Sequence, residues 1–460
     1  MHKTPPKPPS RPENASLWRR ISLFRQDMFS SQPARLYHAK MAEARAPFYR
    51  SFLVNEPALV HRVLVQEPDN FPKAGLVADT LRALLGESIF ATNGEQWRAQ
   101  RDIINPAFKG CPRQAFSCMH EAGQDAIARL QKMPQEPVEI EFVTAFLAAD
   151  IIFRTLFSKP LTESGAMAVF EAFRAYQKTQ PLWNIPALLR LPKWVPRFRS
   201  KLAKKHAASI RSLLTDLVAE RQAEIDAGTA PDDLATSLMT ATDPKTGKGF
   251  SQSQMVDQVA IFFLAGHETS ASALAWAFYL LAMDVDVQDK VAAESCLLNT
   301  PPAPGDLSKL QFTKDVFHEV LRLYPPVPMY LRDAAVATKF RGRKVDKGAM
   351  VIVSPWHLHR HELLWERPDE FDPTRWQTEN GCTRKRDAFI PFSAGPRVCP
   401  GAGFGRIEGV LMISMFIRAF RFELTDQVPV PVAHLTVRSK AGIHLLLTPR
   451  GSDTSIKHTI

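Results

Sequence analysis

The stretch Met255–Met283 constrains this chain more than any other. It is apolar on every face, and Asp257, His267 and Glu268 interrupt it. A surface helix carries one apolar stripe, whereas a helix that is apolar all round is buried. A membrane span needs about 20 apolar residues in succession. The longest run here without a charge or a histidine, Thr269–Met283, is 15 residues. The stretch therefore predicts the central helix of a large domain, enclosed on all sides by other elements. A chain of 460 residues can supply that enclosure, and 45% hydrophobic with 23% charged residues is an ordinary globular balance. Wholesale disorder and a polytopic membrane protein are excluded on the same ground.

Helical periodicity draws the central helix as Gln252–Met283 and predicts others over Gly94–Phe108, Arg113–Lys132, Glu139–Phe157, Glu163–Lys178, Lys201–Gly228, Val285–Leu298 and Gln311–Tyr324. Strand signals are short: Phe48–Val54, a pair inside Lys339–Val353 turning at Arg343–Lys347 before Gly348, and several inside Phe422–Pro449. The fold class is mainly α with small β-sheets, in one domain spanning 15–450. Residues 1–14 read as a disordered proline-rich tail, 451–460 as a C-terminal tail, and Pro231–Gly249 as a surface loop. Leu17–Tyr37, with Trp18 among Arg19, Arg20, Arg25 and Arg35, reads as a helix packed on the body, a membrane-surface helix being the alternative. No apolar core of secretory type follows the basic start. The net charge of +11 suits an acidic protein partner or an anionic surface and is poor evidence for nucleic acid.

Cysteines at 111, 118, 296, 382 and 399 share no spacing and form no CxxC pair, which argues against a disulfide framework or a structural zinc site. Cys399 lies in Phe392-Ser393-Ala394-Gly395-Pro396-Arg397-Val398-Cys399-Pro400-Gly401, directly before a helical run, Gly401–Phe420. Pro400 suits the first helical position, where its missing N–H is not needed. A sulfur at a helix start is expected to have a lowered pKa. Gly395 and Gly401 are expected to let the loop turn tightly and aim N–H groups at it. Arg397 adds a fixed cation, and the set makes a socket for a metal carried by an anionic macrocycle.

The loop's FxxGxRxCxG spacing resembles the heme-binding loop of the cytochrome P450 family at every fixed position. The resemblance spans roughly residues 30–450. It implies a triangular, helix-rich fold with heme b (iron protoporphyrin IX) between the long central helix and the cysteine-loop helix. Cys399 is then the proximal thiolate ligand of iron, favouring O–O cleavage, with Phe392, Arg397 and Gly401 beside the cofactor. Ala265-Gly266-His267-Glu268-Thr269-Ser270 is similar to the family's AGxET motif. A mid-helix glycine costs about 1 kcal/mol relative to alanine, so Gly266 suggests close approach of a flat ligand. Thr269 can bond the Ala265 carbonyl and distort the turn. The motif implies that Ala265 lies against the heme, that Thr269 and Glu268 are catalytic in routing protons, and that His267 has no role. Glu319 and Arg322 form ExxR, and Arg375 in a PxRx segment joins them as a structural triad. Trp97 and Arg101 match the family's WxxxR helix, with Arg98 the competing choice. Together with Arg332 and Arg397 they are the natural partners of the heme propionates. Gly405 departs from the small alanine usual three residues before the glutamate, here Glu408, and is expected to affect packing.

The same analogy points to substrate walls at Lys73–Phe90, Gln177–Phe198 and Val327–Leu331, and implies Phe262, Phe263, Val327, Met329 and Ile443 as substrate contacts. These are nearly all apolar, which suits a fatty acid, terpenoid or carotenoid-like substrate. The implied activity is a monooxygenase using O2 and NAD(P)H, through a ferredoxin or flavodoxin and its reductase. Arg384, Lys385, Arg386, Arg113 and Lys109 could form the docking face. A heme-thiolate peroxygenase or isomerase, or a non-catalytic heme sensor, is the alternative. A soluble bacterial-type, cytoplasmic monomer without a transmembrane anchor is expected.

Overall fold

The structure is a computed structural model that describes residues 3–46, 49–179, 201–433 and 435–450. Its helices are α1 (Leu17–Gln26), α2 (Pro57–His61), α3 (Gly75–Leu85), α4 (Gly94–Gln131), α5 (Ile140–Phe157), α6 (Ser164–Thr179) and α7 (Lys201–Asp226). They continue as α8 (Leu234–Thr240), α9 (Gln252–Met283), α10 (Val285–Ser295), α11 (Gln311–Leu323), α12 (Pro355–Leu358), α13 (Glu379–Asp387) and α14 (Ala402–Ala419). The strands are β1 (Met41–Ala46), β2 (Tyr49–Val54), β3 (Val138–Glu139), β4 (Tyr330–Asp333), β5 (Thr338–Phe340) and β6 (Arg343–Val345). After them come β7 (Met350–Val353), β8 (Phe420–Leu424), β9 (Pro431–Ala433), β10 (Val437–Ser439) and β11 (His444–Pro449). The larger sheet runs β1-β2-β7-β4, the second β3-β11-β8, and β5-β6 and β9-β10 are separate hairpins. Mainly helical architecture with small sheets is thus what the periodicities predict.

α9 is the axis of the molecule. Ser251 and Gln254 close a reciprocal capping box at its start, and Asp284 ends it while capping α10. It packs against α5, α7, α11 and α14. Burial along it is broken on one side: Ala265 is exposed, and Gly266, Thr269 and Ser270 are partly so. Residues three and four apart share a helix face, so these form one open stripe inside the molecule. Gly266 serves packing between helices. A Cβ there would come within 2.8 Å of Ile152 Cγ1 on α5, so close approach of α5 gives this glycine a packing reason of its own.

Several expectations are corrected. The two helices drawn before and after residue 110 are one, α4, which continues through Pro106 and Pro112. An interior proline costs about 3 kcal/mol. Here Cys111, Ala115, Phe116 and Met119 are all buried, and packing of α4 on α14 and α5 outweighs the local preference. The hairpin turns at Arg341 and Gly342, both at positive φ (47° and 78°), a two-residue turn matched to strand twist, and not at Arg343–Lys347. α8 lies within the stretch taken for a loop.

Residues 3–14 are not a loose tail. Phe371 donates its N–H to the Lys3 carbonyl at 3.0 Å, Tyr324 Oη donates to the Pro6 carbonyl at 2.7 Å, and Arg11 donates its N–H to the Gln32 carbonyl at 3.0 Å. Lys7 pairs with Asp369 and lies 4.4 Å over the Tyr37 ring. Pro5 and Pro8 are buried. Proline is pre-extended and has no N–H to satisfy, so a strap rich in it can lie flat on the body. Among the described residues no single helix is long and apolar enough to cross a membrane.

Candidate active site

The cysteine loop folds back over its own end. Cys399 donates its N–H to the Phe392 carbonyl at 2.9 Å. Gly395 takes φ +71°, and a Cβ there would lie 2.1 Å from the Leu64 carbonyl oxygen, so this turn needs glycine. Gly401 differs from expectation, since its φ is −84° and the backbone does not need glycine there. A Cβ on it would sit 3.9 Å from Cys399 Sγ and 4.0 Å from Phe108. α14 begins at Ala402 with Gly401 as its N-cap, so Pro400 precedes the cap and is not the first helical residue. Cys399 keeps accessible surface as a residue while protein atoms crowd its sulfur. Burial pushes its thiol up, against the opposing pull of the Gly401 N–H, Arg101 and Arg406. The expected pull of the helix end is present through the Gly401 N–H, but burial outweighs it in the free thiol. Coordination by a metal is what deprotonates such a sulfur outright.

The cleft continues from this sulfur to α9. Phe108 beside Gly401 meets Phe262 edge-on, with ring centroids 5.0 Å apart. Phe262 lies on α9 one turn before Gly266 and the open stripe. Thr269 Oγ1 donates to the Ala265 carbonyl at 2.7 Å, the back-bond expected from the motif. α9 nonetheless runs unbroken through this turn.

Four cations gather at one end of the cleft. Arg101 donates to the Val398 carbonyl at 2.8 Å, next to Cys399, while its buried Nε has no partner among the described residues. Arg98 faces away and pairs with Asp69 at 2.7 Å. Arg397 lies 4.1 Å over the Trp97 ring and donates to Asn93 Oδ1 at 2.7 Å. Burial, then Arg332, lowers its pKa to about 10. Arg332 is 6% exposed, and among the described residues its side chain makes one hydrogen bond, to the Leu331 carbonyl at 3.3 Å; burial lowers its pKa to about 10. Lys73 completes the group. It donates to the Phe90 carbonyl at 2.7 Å, and burial, then Arg332 and Arg397, push its pKa well down. Sequence reasoning missed Lys73 as a member, because only the tertiary fold brings it beside Arg332. Among the described residues no carboxylate pairs with Lys73 or Arg332. Buried charges are normally paired, so this cluster fits a dianionic ligand. A thiol with accessible surface, cations that lack a carboxylate partner among the described residues, and the neighbouring rings of Phe108 and Phe262 together fit the heme that the motifs imply.

On the proximal side Glu319 binds both arginines. Arg322 donates through Nε and Nη2 at 2.9 and 2.8 Å, and Arg375 through Nε at 2.9 Å. The remaining guanidinium N–H groups reach the carbonyls of His359, Glu366, Pro368 and Glu370. Two cations on one anion are tolerated because those carbonyls complete the set. Phe392 packs against Gly405, and Arg406 lies 5.1 Å over its ring.

Glu268 is not free to move protons in this geometry. It accepts from Thr436 Oγ1 at 2.8 Å, from Arg438 Nε at 2.9 Å and from Gln177, and it forms an ion pair with Arg438 Nη2 at 2.7 Å. Its pKa is lowered: burial would raise it, and Arg438 and His267 overcome that. The acid that the motif singles out thus stands as an ion pair tied to the β9–β10 hairpin and the residues around it. Two substrate contacts are also corrected. Phe263 is fully buried against Phe173, at 4.7 Å, and His267, at 5.2 Å. One residue along a helix turns the side chain by about 100°, which takes Phe263 off the face of Phe262. Ile443 is 1% exposed and packed in the core. Val327 and Met329 are half-buried before β4. Positions 180–198 of the second wall segment lie outside the described residues, and so does the side chain of Arg113.

Comparison with known proteins agrees with this geometry. The sequence profile of the family described as Cytochrome P450 matches residues 6–447. The cyclooctat-9-en-7-ol 5-monooxygenase of Streptomyces melanosporofaciens is 32% identical over 90% of this chain and 87% of its own length. The pentalenene oxygenase of Streptomyces avermitilis is 28% identical over 90% and 91%. The crystal structure of the cytochrome P450DA heme domain superposes with a TM-score of 0.80 at 23% identity, covering 98% of both chains, and so shares the fold. With thiol, cation cluster, motif order and nearly full-length profile in agreement, the chain belongs to the cytochrome P450 family.

Proposed function

We propose that this cytochrome P450 monooxygenase, an oxidoreductase, hydroxylates a terpenoid-type substrate with one atom of O2, using heme b held by Cys399. The observation that carries the reading is the Cys399 thiol with Arg101 beside it and with Lys73 and Arg332, which have no carboxylate partner among the described residues, in the same cation cluster. Heme bound there supplies the oxygen chemistry. The chain's own residues do the rest. Lys73, Trp97, Arg101, Arg332 and Arg397 fix the anionic edge of the cofactor. Glu319, Arg322 and Arg375 hold the proximal core rigid. Phe108 and Phe262 keep water from the reacting face, and Thr269 presents a hydroxyl on the open stripe beside Ala265. Among hydrophobic substrates, a terpenoid is favoured because two bacterial relatives are named for unsaturated hydrocarbon skeletons.

Electrons from NAD(P)H arrive through a separate acidic redox protein in this reading. A cleft of about 560 Å³ lies behind the cysteine loop, lined by Lys314, His318, Lys385, Phe389, Phe392 and Arg406 and by no carboxylate. Arg384 and Arg386 stand beside it on α13, while Arg386 pairs with the neighbouring Asp387. The deciding test is optical. Reduced protein under CO should show the strongly red-shifted Soret band of a thiolate ligand, and Cys399→Ser should abolish it. A wild-type protein that binds heme without that band overturns the reading.

A further inference from the structure

Three elements meet at the cleft behind the cysteine loop, and each turns toward it a cation followed by an apolar side chain three or four residues on. α11 supplies Lys314 and Phe317, α14 supplies Arg406 and Val410, and α13 with the residues just past its end supplies Lys385 and Phe389. On a helix that spacing puts both side chains on one face. Lys385 and Arg406 are exposed and Lys314 is half-buried, whereas Phe317 and Val410 are buried. The cations therefore stand at the rim and the apolar groups at the floor.

Among the described residues no carboxylate forms an ion pair with any of the three rim cations. The acids near them in the chain are engaged elsewhere: Asp306 with Lys309 at 2.8 Å, Glu319 with Arg322 and Arg375, and Asp387 with Arg386 at 2.9 Å. Asp315 accepts from Gln311 and Gln377, both at 3.2 Å. Lys385 meets an imidazole, His318 Nδ1 at 3.5 Å, and Arg406 meets the Phe392 ring. Burial, then Lys385, Arg406 and Lys314, lower the His318 pKa to about 3. Its neutral ring packs on Trp376 and Phe389, at 5.4 and 5.6 Å, and adds to the apolar wall. The wall is also fixed in place. Tyr330 Oη donates to the Ile390 carbonyl at 2.8 Å and accepts from the Ser393 N–H at 3.0 Å. The volume of about 560 Å³ falls within the range of roughly 300–1,000 Å³ of pockets that hold small molecules, which are mostly apolar with a few placed polar groups. A carboxylate side chain on a docked protein is too short to fill such a floor.

We propose that this cleft is a regulatory site for a small amphipathic anion, a carboxylate on an apolar chain, with the head group at Lys314, Lys385 and Arg406 and the chain on Phe317, Phe389 and Val410. Charge complementarity places the carboxylate at the rim, and the depth of the apolar floor calls for the chain. Occupancy hinders the acidic redox protein, which needs the same cations. Phe392 lines the cleft as well, and its carbonyl accepts the Cys399 N–H at 2.9 Å, so the ligand lies against the loop that carries the sulfur. The hindrance rests on the monooxygenase reading above, whereas the binding stands on the cleft alone.

Laurate is the probe, and an azole that coordinates the heme iron first closes the substrate side of the holoprotein. Equilibrium dialysis should then still find one laurate bound per chain. Reversing two rim charges together, Lys314→Glu with Lys385→Glu, should weaken binding by about 10-fold, as the loss of two exposed ion pairs does. This variant should keep the thiolate Soret band, which shows it folded. Dodecanol, which lacks the anion, and phosphate, which lacks the chain, should each fail to displace laurate at equal concentration. A laurate analogue with a photoreactive tail end should label Phe317, Ile407 or Val410. Saturating laurate should slow reduction by an acidic ferredoxin several-fold and leave reduction by dithionite unchanged. No laurate bound with the azole in place, equal affinity in the charge-reversed variant, label confined to α9, or ferredoxin reduction at full rate under saturating laurate overturns the proposal. A heme-loaded wild type without the thiolate Soret band would instead overturn the monooxygenase reading, and dialysis would still report on the cleft.

Discussion

Glu268 and Glu408 show how neighbours rather than residue type decide the state of a carboxyl group. Both are buried, but Arg438 reaches one of them and no cation reaches the other. The consequence for stability can be measured. The folded-state pKa of Glu408 is raised to about 8 from an ordinary 4.5, so between those values the folded chain holds a proton that the unfolded chain has released. Stability then falls as pH rises through this window and levels off above it. We expect the Tm of wild type relative to Glu408→Gln to drop between pH 5 and pH 8, read by thermal unfolding at each pH. A difference that stays constant with pH would contradict the assignment. The sequence could not have distinguished the two acids. Arg438 lies 170 positions from Glu268, and AGxET looks the same with or without it. Lys73 was missed for a like reason, whereas Cys399, Arg397 and Arg101 stand in short motifs of recognisable spacing, although Arg101 meets Val398 and Arg397 meets Asn93 only across the fold.

At the level of elements, α14 carries two glycines one turn apart with opposite surroundings. A Cβ on Gly405 would meet the Phe392 ring at 3.5 Å, an ordinary contact, whereas one on Gly409 would lie 2.2 Å from the Phe317 ring. Glycine inside a helix costs about 1 kcal/mol relative to alanine. We therefore expect Gly405→Ala to stabilise the protein by roughly 0.5–1 kcal/mol. Gly409→Ala should destabilise it by about 1–3 kcal/mol, as overpacking does. Denaturant unfolding of the two variants checks both signs. The sequence suggested an effect on packing, and the ordinary contact a Cβ would make with Phe392 leaves room for the family's alanine at Gly405. α4 teaches the converse. Its prolines predicted a break at a place where burial of Cys111, Phe116 and Met119 holds one helix together.

Across the whole molecule, the amino-terminal strap ties regions that the chain visits far apart. Lys3 donates to the carbonyl of Met283 at the end of α9, and Pro6 accepts from Tyr324 just after α11. Each such bond contributes about 0.5–1.5 kcal/mol net. Removal of residues 1–14 should therefore cost about 1–3 kcal/mol, seen as a lower Tm with the thiolate Soret band retained. An unchanged Tm would return the segment to the status of a solvated tail. Composition alone suggested such a tail, because proline and lysine are common in disordered segments and docking depends on a surface built from elsewhere in the chain.

The sequence by itself determined the central helix, the cysteine loop, the ExxR pair and the family, because each rests on spacing within a short segment, where backbone geometry converts residue order into position. Tertiary structure alone decided which acid is paired, that Phe263 packs against Phe173 and Phe262 against Phe108, and that Lys73 joins Arg332. Those outcomes depend on which distant surfaces meet, and desolvation and charge pairing act only after they have met.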